Sequence, residues 1–499
     1  MLTALELCGG SHANFAEKFS QQYCMSKRAL PRIDGWSYTR KLAGWQLGHC
    51  PTLDHTDILD ANGKLIGWML GVAVQANGQI VGPRQHHLEY ALNDAQFWEK
   101  FEAEITPWAG RYVVFAITTA GKRVYFDPVT DLPAVFHRQE QCVASSVYMA
   151  LSRPIAWNNR LPRRRIIRKG GRYGLQQTCD AHVFRVVSNH YLDLETFALH
   201  RHWPKADDQF DRPASDLDEV AEQIVHKLGM NTGAIVANYA CALPLSGGAD
   251  SRTLAYSARA HLHHVKHAFS HRISRMSKFD CYVGMRLAED LGLADRFQLI
   301  DGVKLVETGA YSDERLNRLK WQYMERTGYY HPPSAEILAA AEEVPPAQYT
   351  LRGNIMELTR ANQWPRSFEF SVEHGLSKLA LGGRDTLDEN LNYWGPDYQN
   401  WVDGLPASTK DRVYDFAFVE HLLPYSLGGG LLGFRQTSYL NPFNDRALTS
   451  LAISLPPQSR RKRKLNAAIH RACNTPDIPR ALMVKRDEDL RREADKLFA

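Results

Sequence analysis

A short apolar run that leads through a glycine-containing loop into a helical segment constrains this chain more than any other feature. Residues 240–245 have the composition of a buried strand, residues 246–251 read Ser-Gly-Gly-Ala-Asp-Ser, and residues 252–262 have helical composition. The two glycines let backbone N–H groups approach an anion closely, and the helix N-terminus adds a favourable dipole. A polar helix cap uses similar residues, but the complete motif between a strand and a helix favours a phosphate site.

The residue types in this loop match the chemistry of a phosphate chain. The hydroxyls of Ser246 and Ser251 can donate hydrogen bonds to phosphate oxygens, and the carboxylate of Asp250 can hold Mg²⁺. The candidate contacts of a phosphate-bearing ligand are therefore Leu245, Ser246, Gly247, Gly248, Asp250 and Ser251. A second strand is predicted to end at Ser270, and ligands of open parallel sheets lie beyond the carboxyl ends of the strands. We therefore expect Ser270 to lie near the base or the ribose of a nucleotide.

Two different patterns of secondary structure divide the chain. In the first part, β-rich runs alternate with turn pairs, which predicts an antiparallel sheet layered against a helix. In the second part, helices alternate with short apolar strands, which is typical of a parallel α/β sheet. A polar, proline-marked stretch at 203–213 is the predicted boundary between them. The predicted strands are 65–70, 111–118, 123–126, 240–245, 265–270 and 296–300, and the predicted helices are 94–105 and 279–290.

Composition excludes several classes of protein. The chain has 499 residues, of which 44% are apolar and 23% charged, so a single small module and a disordered chain are both excluded. A net charge of +5 does not favour a nucleic-acid partner, and we interpret the basic runs at 163–165 and 460–464 as solvated faces or, for the second, a phosphate contact. The eight cysteines form no C-x-x-C pair, and no signal peptide or membrane-spanning run is present, which predicts a cytoplasmic protein without a membrane partner.

The loop at 246–251 resembles that of the PP-loop ATP pyrophosphatases, which release pyrophosphate. Further segments resemble the Ntn-type amidotransferase domain and the C-terminal landmarks of asparagine synthetases. The segments that carry this likeness are 108–115, 125–128, 132–136, 143–146, 440–446 and 478–485. The likeness spans about residues 60–490 in the order found in that family. It implies an Ntn amidotransferase-like domain at 1–204, an antiparallel β-sandwich layered with helices, and an ATP-dependent synthetase domain with a parallel PP-loop sheet at 214–499.

The resemblance also assigns roles to individual residues. Gly353 matches a glycine of the loop that completes the ATP site, and Glu357 matches the carboxylate that shares Mg²⁺ with Asp250. Lys485 matches a lysine that contacts the α-phosphate and the developing oxyanion. Asn354 stands where a β-lactam synthetase has a base tyrosine. Position 2 is Leu2, whereas asparagine synthetases use a cysteine after the initiator methionine as the glutaminase nucleophile, so the N-terminal domain is expected to lack that activity.

These features predict an AMP-forming ligase that uses ATP and Mg²⁺ to activate a carboxylate for attack by an amine. Loss of the glutaminase cysteine is typical of β-lactam synthetases and lasso-peptide cyclases, and intramolecular macrolactam formation is the preferred expectation. Its partners would then include a ribosomal precursor peptide and a leader protease. Ammonia-dependent amidation, β-lactam-type cyclisation, tRNA modification and a non-catalytic ATP-binding scaffold remain alternatives. The oligomeric state does not follow from the sequence.

Two other groups of residues are interpreted as structural. The histidines at 261, 263, 264, 267 and 271 fall on a helix end and a strand, which scatters their directions and argues against a metal cluster. Tyr329 and Tyr330 precede His331-Pro-Pro, and a proline-bounded loop that packs its aromatic rings is the expected arrangement.

Overall fold

The computed structural model describes residues 1–381, 387–475 and 488–498, and the segment that contains Lys485 lies outside them. Its strands form three sheets, two in the first part of the chain and one in the second. The strands are β1 (Tyr23–Ser26), β2 (Ser37–Tyr38), β3 (Gln46–His49), β4 (His55–Leu59), β5 (Leu65–Val74), β6 (Arg84–His87), β7 (Ala109–Thr118), β8 (Gly121–Phe126), β9 (Val135–His137), β10 (Cys142–Ala144), β11 (Phe184–Arg185), β12 (His190–Asp193), β13 (Leu199–Arg201), β14 (Cys241–Pro244), β15 (His267–Arg272), β16 (Phe297–Asp301), β17 (Tyr349–Leu351) and β18 (Ser438–Leu440).

Helices cover the sheets and connect the strands of the second part. Within the described residues the α-helices are α1 (Leu2–Glu6), α2 (His12–Lys18), α3 (Phe97–Ile105), α4 (Val147–Ala150), α5 (Arg163–Lys169), α6 (Leu217–Asn238), α7 (Ala249–Ser257), α8 (Lys278–Asp290), α9 (Gly302–Glu307), α10 (Asp313–Thr327), α11 (Ala335–Glu342), α12 (Val372–Leu379), α13 (Leu387–Asp403), α14 (Val413–Ala417), α15 (Arg446–Ser454), α16 (Pro457–Arg461), α17 (Lys464–Ala472) and α18 (Glu488–Lys496). Short 3₁₀ turns lie at Ala214–Asp216, Arg259–His264, Arg275–Ser277, Ala294–Arg296, Met356–Arg360 and Ala407–Arg412, and π-helical turns lie at Phe418–Leu422 and Pro424–Gly429.

Strand β7 shows how the first part is layered. Its side chains alternate between the two faces of the sheet, as the two-residue period of a strand requires. Val113, Phe115 and Ile117 pack against the residues of the six-stranded sheet β11-β9-β10-β1-β3-β2. Their neighbours Tyr112 and Val114 face α3 on the opposite side. The order of layers is therefore sheet, sheet and helix, because β7 lies in the seven-stranded sheet β13-β12-β8-β7-β5-β4-β6.

The antiparallel prediction for this part is correct for most strand pairs but not for all of them. Every pair in the six-stranded sheet is antiparallel. In the seven-stranded sheet β4 pairs parallel to β6, so that sheet is mixed. The connection from β4 to β6 passes through β5, which pairs antiparallel to β4 and places β6 on the other side of β4.

The second part contains a five-stranded sheet in which every pair is parallel. Its order is β16-β15-β14-β17-β18, so the chain moves outward from β14 in one direction and then returns to add β17 and β18 on the other side. The order thus reverses between β14 and β17. In open parallel sheets, ligands bind at such a reversal, beyond the carboxyl ends of the strands.

The segment after β18 joins the two parts of the molecule. The amide of Asn444 donates to the Gly110 carbonyl oxygen and, at 2.7 Å, to a carboxylate oxygen of Asp127. Arg446 donates to the side chain of Asn189 and to the carbonyl of Phe126, both at 3.0 Å. All these partners belong to the first part of the chain. The motifs at 108–115, 125–128 and 440–446, which the sequence analysis had singled out, therefore meet at one interface.

The basic run at 460–464 differs in part from the expectation. Arg460 is completely buried, and its guanidinium donates to both carboxylate oxygens of Asp415 at 3.0 and 2.6 Å. The interpretation as a solvated face is therefore wrong for Arg460, whose charge neutralises a buried carboxylate. Lys462, Arg463 and Lys464 are exposed, as expected. Among the described residues, no helix combines the length and the apolar character needed to cross a membrane.

Candidate functional site

A cavity of about 370 Å³ lies at the carboxyl edge of the parallel sheet, where the strand order reverses. Residues that follow β14 and β17, among them Asp250 and Gly353, form its polar lining. The apolar end is formed by residues of β15, of α11 and of the segments that follow them, namely Phe269, Ile273, Ala340, Val344 and Phe434. Its volume falls in the range of small-molecule sites in proteins.

The loop that precedes α7 is held in shape by two serine hydroxyls. The Oγ atoms of Ser246 and Ser251 lie 2.8 Å apart, and the Gly248 N–H donates to the Ser246 Oγ. The Ser251 hydroxyl also lies within hydrogen-bond distance of the carbonyl oxygens of Ser246 and Gly248. These bonds close the loop onto the first turn of α7, whose initial N–H groups have no intrahelical partner. The loop is thus preorganised toward the cavity.

Close packing behind the loop fixes its position on the sheet. Ser270, in β15, donates from its hydroxyl to the Leu245 carbonyl at 2.6 Å. A Cβ atom on Gly284 of α8 would lie 2.0 Å from that hydroxyl oxygen, so α8 can approach only because position 284 is glycine. Ser270 lines the cavity, and its hydroxyl donates its proton to the Leu245 carbonyl oxygen of the loop.

Gly353 has a similar steric reason to be glycine. A Cβ atom at this position would lie 2.8 Å from the Asp250 carbonyl oxygen and 3.2 Å from the Ser251 nitrogen. Both are backbone atoms of the first turn of α7, which cannot rotate away as a side chain does. The loop after β17 therefore packs directly on the start of α7, and this contact brings the segment from Gly353 to Glu357 next to Asp250.

Asp250 is held by an arginine that the sequence analysis did not identify. Arg360 donates to both carboxylate oxygens of Asp250, at 2.6 and 2.8 Å. The pair is mostly buried, since 22% of the Asp250 side chain and 13% of the Arg360 side chain are exposed. A two-pronged pair of this kind is both strong and geometrically specific. The carboxylate of Asp250 is therefore oriented before any ligand binds.

Glu357 lies beside this pair and has an unsatisfied atom. Its Oε2 is buried and accepts no hydrogen bond. Burial raises the pKa of Glu357 above its ordinary value, and the nearby Asp250 carboxylate raises it further. The 3₁₀ turn Met356–Arg360 explains the arrangement, because residues three apart eclipse one another and Glu357 and Arg360 thus share one side.

The residue that precedes this turn has a strained backbone. Ile355 has φ +77° and ψ −30°, a conformation that favours glycine, and its side chain is fully buried. A β-branched residue pays a steric cost at positive φ of about 1–3 kcal/mol. The surrounding core holds Ile355 in this conformation, and the turn that follows places Glu357 near Asp250 and Arg360. Strain of this kind is common at functional sites.

Basic and neutral side chains form the remaining polar wall. Arg352 donates from Nε to the Asn354 side chain at 2.8 Å, and its guanidinium lies 5.2 Å from the centre of the Tyr439 ring. His271 also lines the cavity, and burial together with Arg352 lowers its pKa to about 4, so the ring is neutral near pH 7. Asp280 on α8 accepts a hydrogen bond from the Gly247 N–H, and burial raises the pKa of this carboxyl.

The structure brings most of the predicted site residues together. Lining residues of the cavity include Leu245, Ser246, Gly248, Asp250, Ser251, Ser270 and Gly353. Gly247 lies in the same loop, and Glu357 interacts electrostatically with Asp250. Lys485 lies outside the described residues. Tyr329 and Tyr330 are buried, as expected of a loop that packs its aromatic rings.

Sequence reasoning missed Arg360, Arg352, Asp280 and His271. His271 had been classed with ordinary histidines, although its position after Ser270 at the end of a predicted strand was a usable signal. Arg360 follows Glu357 by three residues, but only a 3₁₀ turn places the two side chains together, and that turn is not evident from the sequence. Asp280 lies in the first turn of a predicted helix, and its contact with Gly247 depends on the tertiary packing of α8.

The donor set of the site suits a hard divalent cation. Asp250 and Glu357 supply carboxylate oxygens, which Mg²⁺ prefers, and the buried Oε2 of Glu357 has no other partner. Each Asp250 oxygen has two lone pairs, so the bond from Arg360 leaves one on each. Within the described part of the chain there is no cluster of three or more His, Cys, Asp or Glu side chains that could hold a metal. A cation here would therefore need further ligands from water or a bound phosphate.

Comparison with protein-family models gives no match, and comparison with curated proteins gives none either.

Proposed function

We propose that this chain is an AMP-forming carbon–nitrogen ligase, in which the second part activates a substrate carboxylate with ATP for attack by an amine. The observation that carries the proposal is the loop at 246–251, which opens into the cavity at the strand-order reversal with Asp250 and Glu357 beside it. The resemblance to the asparagine synthetase, β-lactam synthetase and lasso-peptide cyclase superfamily supports the same class. It also supports a division into an Ntn-like part and a PP-loop synthetase part.

The polar end of the cavity would bind the phosphates of ATP. The first turn of α7 presents backbone N–H groups there, and glycines at 247 and 248 allow a phosphate oxygen to approach them closely. The apolar end, with Phe269 and Val344, is suited to the flat face of a purine. Arg352 also lines the cavity and would add positive charge there. The neutral His271 ring would not repel the Arg352 guanidinium.

Asp250 and Glu357 would hold Mg²⁺. A cation at this place neutralises charge on the departing pyrophosphate, which is the chemistry that such ligases require. Arg360 keeps the Asp250 carboxylate oriented through two hydrogen bonds. The carboxyl of Glu357, whose pKa is raised, would gain a favourable partner for its buried Oε2.

The resemblance gives Lys485 the role of stabilising negative charge on the α-phosphate and the acyl oxygen. One well-placed cationic donor contributes a factor of about 10²–10³ in rate. Lys485→Ala should therefore abolish turnover while ATP still binds.

Macrolactam formation within a peptide remains the preferred reaction, with a carboxylate side chain as the acid and a peptide amine as the nucleophile. No base tyrosine stands at Asn354, which argues against chemistry of the β-lactam synthetase type. The alternative of a non-catalytic ATP-binding scaffold is favoured by one observation, namely that both Asp250 oxygens already accept hydrogen bonds from Arg360.

The decisive experiment is analysis of nucleotide products by mass spectrometry. Purified protein is incubated with Mg·ATP and with pools of carboxylate-bearing and amine-bearing compounds, including peptides encoded near the gene. AMP and pyrophosphate, together with a peptide lighter by one water, are the expected products. AMP that forms only with free ammonia or with RNA would move the function to the corresponding alternative. ATP binding without AMP in any pool would support the scaffold.

Variants at the two carboxylates make the experiment specific to this site. Asp250→Asn and Glu357→Gln should each abolish AMP formation. Asp313→Asn and Glu314→Gln serve as matched controls, because these exposed carboxylates lie in the first turn of α10 and should leave turnover unchanged. Normal AMP formation in both site variants would contradict the proposed metal ligands.

A further inference from the structure

A strongly basic segment in the first part of the chain is not used by the proposed site. Residues 157–179 contain seven basic and no acidic residues, although the whole chain has a net charge of only +5. The basic residues are Arg160, Arg163, Arg164, Arg165, Arg168, Lys169 and Arg172. This segment is therefore one of the most basic stretches of the chain.

Part of this segment forms an exposed face of helix α5. Helix α5 buries Ile166 in the core and exposes Arg164, Ile167 and Arg168 on the other side. Ile167 is 47% exposed and therefore adds apolar area to this basic face. Gly170, with φ +59°, ends the helix in the left-handed conformation and turns the chain away from this face.

Two exposed aromatic rings contact arginines at or just before the start of this helix. Trp157 is 41% exposed and Tyr393, on α13, is 52% exposed. The guanidinium of Arg163 lies 5.1 Å from the Trp157 ring centre, and that of Arg160 lies 4.6 Å from the Tyr393 ring centre. Arg160 also approaches Asp397 at 3.5 Å. Each guanidinium also lies near a buried ring, that of Arg163 4.5 Å from the Tyr330 ring centre and that of Arg160 4.1 Å from the Trp394 ring centre. These contacts hold two arginines in place at and just before the start of α5.

We propose that this surface, formed by Trp157, Arg160, Arg164, Ile167, Arg168 and Tyr393, docks an acidic polypeptide segment that also carries apolar side chains. Guanidinium groups bind carboxylates in a planar, two-pronged geometry, which suits Asp and Glu side chains. The exposed Ile167 and the aromatic edges would cover apolar side chains placed between the acidic ones. This surface does not depend on the ligase chemistry proposed above.

The same features disfavour single-stranded nucleic acid as the partner. Such partners bind by stacking bases on open aromatic faces. Here a guanidinium already lies over a face of Trp157 and of Tyr393. The exposed aliphatic side chain of Ile167 also has no group that could form a hydrogen bond or an ion pair with a sugar–phosphate backbone. An acidic polypeptide uses both the charge and the apolar centre of this surface.

Fluorescence anisotropy with the full-length protein tests the proposal. The probe is a labelled Glu-rich peptide with interspersed Leu, compared at physiological ionic strength with its Glu→Gln counterpart and with oligouridine of equal charge. The wild-type protein should bind the Glu-rich peptide more tightly than either of the other two. Arg164→Gln/Arg168→Gln should weaken binding about fivefold, and Ile167→Ser should weaken it about threefold.

Arg286→Gln/Lys304→Gln provides the matched control, because it removes the same charge from exposed positions on α8 and α9. This variant should bind the peptide as the wild type does. Equal loss in both double variants would overturn the proposal, since it would show that only net charge matters. Tighter binding of oligouridine than of the peptide would overturn it as well and would assign the surface to nucleic acid.

Discussion

The contact between Gly353 and the start of α7 leads to a sharp prediction for Gly353→Ala. The backbone of Gly353 does not have the positive φ that disfavours other residues, so alanine can adopt its conformation, and the effect of the substitution is purely steric. The new Cβ would lie 2.8 Å from the Asp250 carbonyl oxygen. That distance must grow by about 0.6 Å to reach the 3.4 Å at which ordinary contact begins.

The size of the effect follows from the cost of overpacking. Forcing an extra methyl group into a close-packed contact costs about 1–3 kcal/mol. The atoms that must move belong to the loop after β17 and to the first turn of α7, so the strain acts where the phosphates are proposed to bind. If it is relieved by displacing that turn, ATP binds about 5- to 150-fold more weakly, since 1.4 kcal/mol is a factor of ten.

Isothermal titration calorimetry with ATP and Mg²⁺ measures this change directly. Gly404→Ala is the matched control, because a Cβ there meets its nearest atom at an ordinary 3.5 Å and the backbone is likewise free of positive φ. Circular dichroism should show that both variants keep their secondary structure. An ATP affinity of Gly353→Ala within twofold of the wild type would refute the inferred coupling between Gly353 and the phosphate site.

Three further predictions concern buried charges. Burial and the nearby Asp127 carboxylate raise the pKa of Asp131 to about 7, so the folded state binds a proton that the unfolded state releases. The thermal unfolding midpoint should therefore rise as the pH falls from about 8 to 6. Asp131→Asn should flatten this dependence. In a urea titration, Arg460→Leu should lower the unfolding free energy by about 3–5 kcal/mol, because it leaves the buried Asp415 carboxylate without its charged partner. The double variant Arg460→Leu/Asp415→Leu should lower the unfolding free energy less, because it removes both charges. Glu357→Gln should leave the thermal midpoint unchanged or raise it, since it removes a buried carboxylate beside another one; a fall of several degrees would contradict the proposed release of repulsion.

The sequence predicted the position of the site better than its interior. The loop at 246–251 could be placed because its residue types, its preceding strand and its following helix are all local features. Its location beyond the carboxyl ends of the strands was expected from the alternation of helices and strands, whereas the reversal of strand order became evident only from the structure. The observed elements β14, α8 and β16 lie within a few residues of their predicted bounds.

The contacts between elements distant in sequence could not be predicted. Arg360 is 110 residues from its partner Asp250, and nothing local marks it as that partner. Its position depends on a 3₁₀ turn, which in turn depends on the positive φ of Ile355, a conformation that the sequence argues against. The parallel pairing of β4 with β6 was missed for a similar reason, because short strands joined through a hairpin predict only antiparallel neighbours.

Strand β18 and the residues after it link the wall of the cavity to the first part of the chain. Tyr439 of this strand lines the cavity, while Asn444 and Arg446 just beyond it bond to the sheets of the first part. Removing the first part would leave these buried polar groups without partners and would loosen a wall of the cavity. The first part of the chain therefore acts as a buttress for this wall of the cavity, whatever reaction it carries out itself.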